Sequence, residues 1–161
     1  MNTNALRIAV IGGGIGGLTA ALSLRQAGFD VEVYEQAPEL TEVGGGINMA
    51  PNATRVLRQL GLAAGLDREG VRPLGTHQRR WQDGRTLQRA PLNPLCEELY
   101  GAPHMTIHRA DLLAVIAAGF PAERVHPSGL PTEARAPRCG SKTVRVLPPT
   151  CWSAPTASTR R

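Results

Sequence analysis

The stretch LRIAVIGGGIGGLTAALSLRQAGFDVEVYE, residues 6–35, decides the fold. Its first six residues are a short apolar run rich in Ile and Val, the composition of a strand buried on both faces of a parallel sheet. The run feeds directly into Gly12, Gly13 and Gly14, with Gly16 and Gly17 close behind. From Ile15 to Ala27 the residues Leu18, Ala21, Leu22 and Arg25 recur on neighbouring helical turns, and Gly28 supplies a stop. Asp30 to Tyr34 then alternates as a second strand that ends at Glu35. Strand, glycine turn, helix and strand make one βαβ unit, so the expected class is α/β with a Rossmann-like sheet.

The spacing carries chemistry. Gly12 permits a tight turn, Gly14 lets the backbone approach a pyrophosphate, and Gly17 lets helix and strand pack closely. Ile15 opens a helix whose amino terminus offers free amides and the positive end of its dipole to phosphates. Glu35 follows Gly17 by 18 residues, at the end of the second strand, where a carboxylate accepts the hydroxyls of an adenosine ribose. The pattern predicts a dinucleotide site, and an acid at the ribose favours FAD or NAD over NADP. A glycine turn that serves packing alone is the competing reading.

The adenine half does not separate FAD from NAD, so the next segment matters. Residues 35–53 read EQAPELTEVGGGINMAPNA. A Rossmann dehydrogenase would proceed to another crossover and a further parallel strand. Here a polar loop leads to Gly44, Gly45 and Gly46, and Pro51 then suits the first turn of a helix. Ala53, Val56, Leu57 and Leu60 form one face of that helix, which should end at Gly61.

On YEQAPEL at 34–40, VGGGI at 43–47 and PNA at 51–53, the chain resembles the group A flavoprotein monooxygenases. The branch is that of salicylate hydroxylase and 3-hydroxybenzoate 6-hydroxylase, with a p-hydroxybenzoate-hydroxylase fold whose FAD domain is glutathione-reductase-like. The likeness continues through RRWQDGRTL at 79–87, where Asp83 and Gly84 form a hairpin turn between strands of a substrate-side antiparallel sheet. Its most specific point is IHRADLLAVI at 107–116. The resemblance implies that Arg109, at a helix start, contacts the flavin; a solvated cap residue is the plainer reading. Asp111 has an electrostatic use in a first helical turn without any ligand. The family's glycine loop lies near the isoalloxazine, which assigns Gly45 and Gly46 to the cofactor, although glycines also simply turn. The implied activity is hydroxylation of a phenolic, acid-like aromatic ring by FAD with NADH or NADPH and oxygen. No catalytic residue is assigned, because the substrate pocket of such enzymes lies further along the chain. An NAD-dependent oxidoreductase fragment and a nonenzymatic adenine-nucleotide-binding remnant are the alternatives.

At 161 residues, the chain holds about the first third of such a protein, and the likeness ends near AERVH at 122–126. Composition changes there too. Residues 1–126 hold 12 Arg, no Lys and 12 acids, whereas 127–161 hold five Arg, Lys142 and only Glu133. The second segment also has six Pro, nine Ser or Thr and no Ile, Phe or Tyr, a composition that does not build a core. The expected division is therefore a partial FAD-binding domain over 1–126, with part of the substrate-side sheet at about 71–108, and a basic, Pro-rich tail of low order over 127–161. Single-codon Trp152 and two-codon Cys151 allow a check on the cause. With G or C favoured at third positions, residues 149–160, PTCWSAPTASTR, read from the third base as DVLVGADGIHS, which contains the family's Gly-Ala-Asp-Gly motif. The same offset turns RCGSKT at 138–143 into VRFED. A frame disruption between about residues 126 and 137 is the expectation.

The net charge of +5 thus belongs to the tail and gives no basic face for nucleic acid on any helix or strand. Cys96, Cys139 and Cys151 share no metal spacing or Cys-x-x-Cys pairing, and His77, His104, His108 and His126 read as structural or surface residues. Without an apolar run of 18 residues or a secretory pattern, no membrane span is expected and the default compartment is the cytoplasm. Oligomeric state is not legible.

Overall fold

The computed structural model describes residues 7–40 and 44–128, and the strand 144–146. The chain divides into two units, residues 1–40 with 122–161, and residues 41–121.

In the first unit, β1 (Arg7–Ile11) leads to α1 (Ile15–Gln26) and β2 (Asp30–Glu35). The two strands pair in parallel, Arg7 opposite Asp30 through Ile11 opposite Tyr34. Ile8, Ala9, Val10, Val31 and Val33 are buried between neighbours, and Leu18, Ala21 and Leu22 of α1 are buried with them. Gly28, at φ 89°, ends α1: its amide donates to the Arg25 carbonyl and the Phe29 amide to that of Leu24, the paired bonds of a glycine C-terminal cap. β7 (Val125–Pro127) returns parallel to β2 on its far side. Arg124 pairs with Asp30 and Glu32, and His126 pairs with Glu32 while its ring stacks on Tyr34 at 4.8 Å. Burial, and then the nearby Glu32, raise the Tyr34 phenol above its ordinary range. On the other side of β1, β8 (Val144–Val146) pairs antiparallel, giving the order β7-β2-β1-β8. This three-residue strand lies in the segment whose composition predicts little order. Its pairing is through the backbone and needs no core of its own. Residues 129–143 and 147–161, most of the expected tail and all of the GADG-encoding stretch, lie outside the described residues.

In the second unit, β3 (Gly46–Met49) is followed by α2 (Pro51–Leu57), a π-helical turn over 58–62 and α3 (Ala63–Glu69). The break falls at Gly61, whose φ of 85° no continuous right-handed helix accommodates. The buried face of α2 differs from the expected one. Val56 is 43% exposed, while Thr54 is buried beside Leu57 and donates its hydroxyl to the Pro103 carbonyl at 2.7 Å. A hydrogen-bonded hydroxyl is as acceptable inside as a methyl group. β4 (Gly75–Arg79) and β5 (Thr86–Pro91) form the expected hairpin around Asp83 and Gly84. The Gly84 φ is 70°, and Asp83 accepts from the Arg85 amide and pairs with Arg80. Every β4 residue is exposed, so Arg79 and its neighbours stand on a hairpin open on both faces. After α4 (Leu95–Tyr100), β6 (Met105–His108) pairs antiparallel with β3 and runs into α5 (Arg109–Ala118). Leu112, Leu113, Val115 and Ile116 of α5 join Leu66, Met105, Ile107 and Phe120 in the unit's core.

Candidate functional site

The glycine turn closes as its spacing requires. The Gly12 amide donates to the Tyr34 carbonyl at 2.7 Å, and Gly12 sits at φ 105°, a conformation that excludes most side chains. Gly17 faces it so closely that an added Cβ would lie 1.8 Å from the Gly12 carbonyl oxygen and 3.5 Å from Val10. Gly14 is the extended residue before α1, and its carbonyl accepts the Leu18 amide at 3.0 Å. No side chain caps α1, and its first turn, opened by Ile15, contains no acid. The amides and positive dipole end of this helix are therefore left for an anion. An added Cβ at Gly16 would meet nothing within 4 Å.

Glu35 lies beside this turn. Its Oε2 accepts the Gly13 amide at 2.5 Å and its Oε1 accepts the Ala37 amide at 3.0 Å. Each oxygen keeps a lone pair, so a carboxylate fixed from behind still has acceptors for two hydroxyls. Gly13 is the residue that spacing alone passed over, since its amide anchors Glu35 and a Cβ there would meet Leu40 at 2.5 Å. In this unit the structure brings Gly12, Gly14, Ile15, Gly17 and Glu35 to one end of β1 and β2. A pyrophosphate and an adenosine ribose fit that donor set: amides without side-chain acceptors next to a carboxylate with spare lone pairs.

Gly45, Gly46 and Arg109 meet in the other unit, because β3 and β6 pair with Gly46 opposite His108. The Arg109 amide donates to the Gly45 carbonyl at 3.1 Å. Arg109 begins α5, where the His108 ring accepts the Ala110 amide and Asp111 occupies the first turn. Its side chain runs along Gly44, where an added Cβ would stand 3.1 Å from the Arg109 Cδ. Of the three glycines, Gly44 therefore lies along the arginine side chain, whereas an added Cβ at Gly45 would meet nothing and at Gly46 only ordinary contacts. Among the described residues no cluster of three or more His, Cys, Asp or Glu is suited to a metal, and no helix is long and apolar enough to cross a membrane. Cys96 is a buried free thiol.

Residues 10–45 match the NAD(P)-binding Rossmann-like domain family. The chain is 49% identical over 120 residues to a 3-amino-4-hydroxybenzoate 2-monooxygenase of Streptomyces cremeus, covering 74% of this chain and 30% of that enzyme. It is 42% identical over 116 residues to a 6-hydroxynicotinate 3-monooxygenase of Bordetella bronchiseptica, covering 72% and 30%. Its fold matches Klebsiella pneumoniae HpxO complexed with FAD and uric acid at a TM-score of 0.67 and 28% identity, over 76% of this chain and 31% of that one. The chain thus spans about 30% of the length of the curated relatives it matches. An incomplete Rossmann-like βαβ fold with both parallel and antiparallel pairings accompanies that likeness. Sequence and fold agree that the chain is strongly homologous to part of the group A FAD-dependent aromatic-ring monooxygenases.

Proposed function

We propose that this chain carries the ADP-binding half of the FAD site of an aromatic-ring hydroxylase, together with the Arg109 segment that meets the flavin. The observation that carries this reading is the course of the chain after Glu35. Among the described residues, the next strand is β3, and it pairs antiparallel with β6 rather than extending the parallel sheet as an NAD-dependent dehydrogenase would. That pairing joins Gly45 and Gly46 to Arg109.

In this reading the open end of α1 receives the pyrophosphate, Glu35 accepts the adenosine ribose hydroxyls, and Gly17 keeps the turn closed. Gly45, Gly46 and Arg109 serve the flavin side. FAD, when bound, would supply the redox chemistry for hydroxylating a phenolic, acid-like ring, with NADH or NADPH as the reductant and molecular oxygen as the oxidant. The residues named here bind and orient, and no catalytic role on the substrate is assigned to any of them. The 161-residue form accordingly has no hydroxylase turnover and holds FAD weakly or not at all. Residues 127–161 are read as a shifted frame, which the nucleotide sequence that encodes them and the stretch beyond it tests directly.

Glu35 gives the sharpest test of the site. Charge-assisted hydrogen bonds to the ribose are each worth about 1.5–3 kcal/mol, so Glu35→Ala should weaken ADP binding about tenfold or more. Isothermal titration of ADP, AMP and FAD into both proteins checks this. Equal affinities would remove Glu35 from the site.

A further inference from the structure

We propose that His108 is a positioning residue: its imidazole, unprotonated at Nδ1, caps α5 and so holds Arg109 in place on the Gly44–Gly45 segment. This rests on the assignment of Arg109 to the flavin. The first two amides of α5 have two different acceptors. The Arg109 amide donates to the Gly45 carbonyl at 3.1 Å, and the Ala110 amide donates to His108 Nδ1 at 3.3 Å. His108 has the extended φ −67° and ψ 140° of an N-cap and, in β6, stands opposite Gly46. One residue therefore joins the β3–β6 ladder, the helix start and the arginine. Helix N-caps are usually Ser, Thr, Asp or Asn, whose oxygens accept in every charge state near neutrality. An imidazole accepts only through an unprotonated nitrogen, so the bond requires a neutral ring carrying its proton on Nε2.

The surroundings sharpen this requirement. Arg109 already places one cation at the positive end of α5, and a protonated His108 would add a second. Asp111 is the acid of the first turn. The described residues of β3 and β6 hold no other ionisable side chain. On α3, which packs against β6 and α5, Asp67 is engaged with Arg58 and Arg72, and Glu69 with Arg68. Protonation of His108 thus removes the cap and repels its neighbour together, and the hold on Arg109 weakens as the ring gains its proton.

The test uses the 161-residue chain labelled with nitrogen-15, its His108→Ala and His108→Asn variants, and two readouts. Histidine nitrogen shifts should show Nδ1 unprotonated at neutral pH. Exchange at the Ala110 amide should rise about fivefold in His108→Ala, the usual loss for a missing cap, and return to the parent rate in His108→Asn. Acidification should lower the Ala110 protection factor, the exchange rate measured against the intrinsic rate at the same pH, in the parent and leave that of His108→Asn unchanged. A ring protonated on Nδ1, or exchange unmoved by His108→Ala, overturns the cap. The same variants in a protein with the upstream frame restored add FAD affinity, expected to fall in His108→Ala and recover in His108→Asn. If Arg109→Ala weakens FAD and His108→Ala does not, positioning is wrong. If Arg109→Ala leaves FAD affinity unchanged while the exchange results hold, the flavin assignment fails and the cap stands.

Discussion

Gly17 and Gly13 both lack space for a side chain, yet they should respond differently to one. At Gly17 the obstruction is the Gly12 carbonyl oxygen, 1.8 Å from an added Cβ, and backbone on both sides of the turn has nowhere to go. Gly17→Ala should force α1 away from β1 at about 3 kcal/mol, the upper end of ordinary overpacking. At Gly13 the nearest atom is Leu40 Cδ2, the far end of a flexible side chain, with Glu35 Cβ at 3.1 Å and Oε2 at 3.3 Å, so Gly13→Ala should cost less than Gly17→Ala, about 1 kcal/mol, as Leu40 turns aside and Glu35 gives slightly. Urea unfolding of the two variants checks the order, and a Gly13→Ala protein less stable than Gly17→Ala would reverse the reading. The convergence of Gly12, Gly14, Gly17 and Glu35 at one turn was legible from spacing, since each position calls for a residue type. The Gly13 amide on Glu35 was not, because every non-proline residue carries an amide and only the folded turn aims this one. Gly44 escaped for a similar reason: three adjacent glycines look alike until Arg109 is laid along one of them.

At the scale of elements, α1 and α5 differ at their amino termini. α1 has no capping side chain and no acid in its first turn, whereas α5 has His108 and Asp111. The open helix is the one preceded by the glycine pattern, which is why the sequence pointed to it. The face of α2 was less legible. Apolar periodicity turned Val56 inward, while the structure buries Thr54, whose hydroxyl finds the Pro103 carbonyl 49 residues away in the chain. Around this helix, Asp67 accepts from Arg58 and Arg72, and Arg72 also reaches Glu97 on α4. The Arg72 hydrogen bond, assisted by Arg58 against a smaller opposing effect of burial, holds the Asp67 carboxyl below the usual carboxylate range. A carboxyl lowered on folding stabilises fully above its unfolded value, about 3.9, and loses that contribution as pH falls through its folded value. These side chains are 28–45% exposed, so the effect should be no more than about 1 kcal/mol. Unfolding free energies measured on either side of about pH 4 should show Asp67→Asn losing less on acidification than the parent. An identical loss in both would remove Asp67 from the acid response.

At the scale of the molecule, the parallel unit was the most legible part, because strand, turn, helix and strand are contiguous in sequence. β7 was harder, since it joins β2 from more than 90 residues away and three residues carry almost no periodic signal. The antiparallel hairpin was legible from Asp83 and Gly84, but its openness on both faces was not. Leu74 is 80% exposed, Leu87 63% and Trp81 90%. An isolated two-stranded hairpin is marginal in water, and apolar surface of this kind calls for a cover. Relatives with about two and a half times as much chain have the material to supply it. Residues 127–161, read as a shifted frame, contain no Ile, Phe or Tyr. The most direct measurement is the visible flavin spectrum after expression and desalting of two proteins, the 161-residue chain and a form translated in the upstream frame through GADGIHS and the sequence beyond. The restored form should be yellow, carry stoichiometric FAD and oxidise NADH or NADPH faster with an aromatic substrate, while the 161-residue form should be colourless. A soluble, folded restored protein that desalts colourless and does not bind added FAD, or a 161-residue form that retains stoichiometric FAD and hydroxylates a phenolic acid, would contradict this reading.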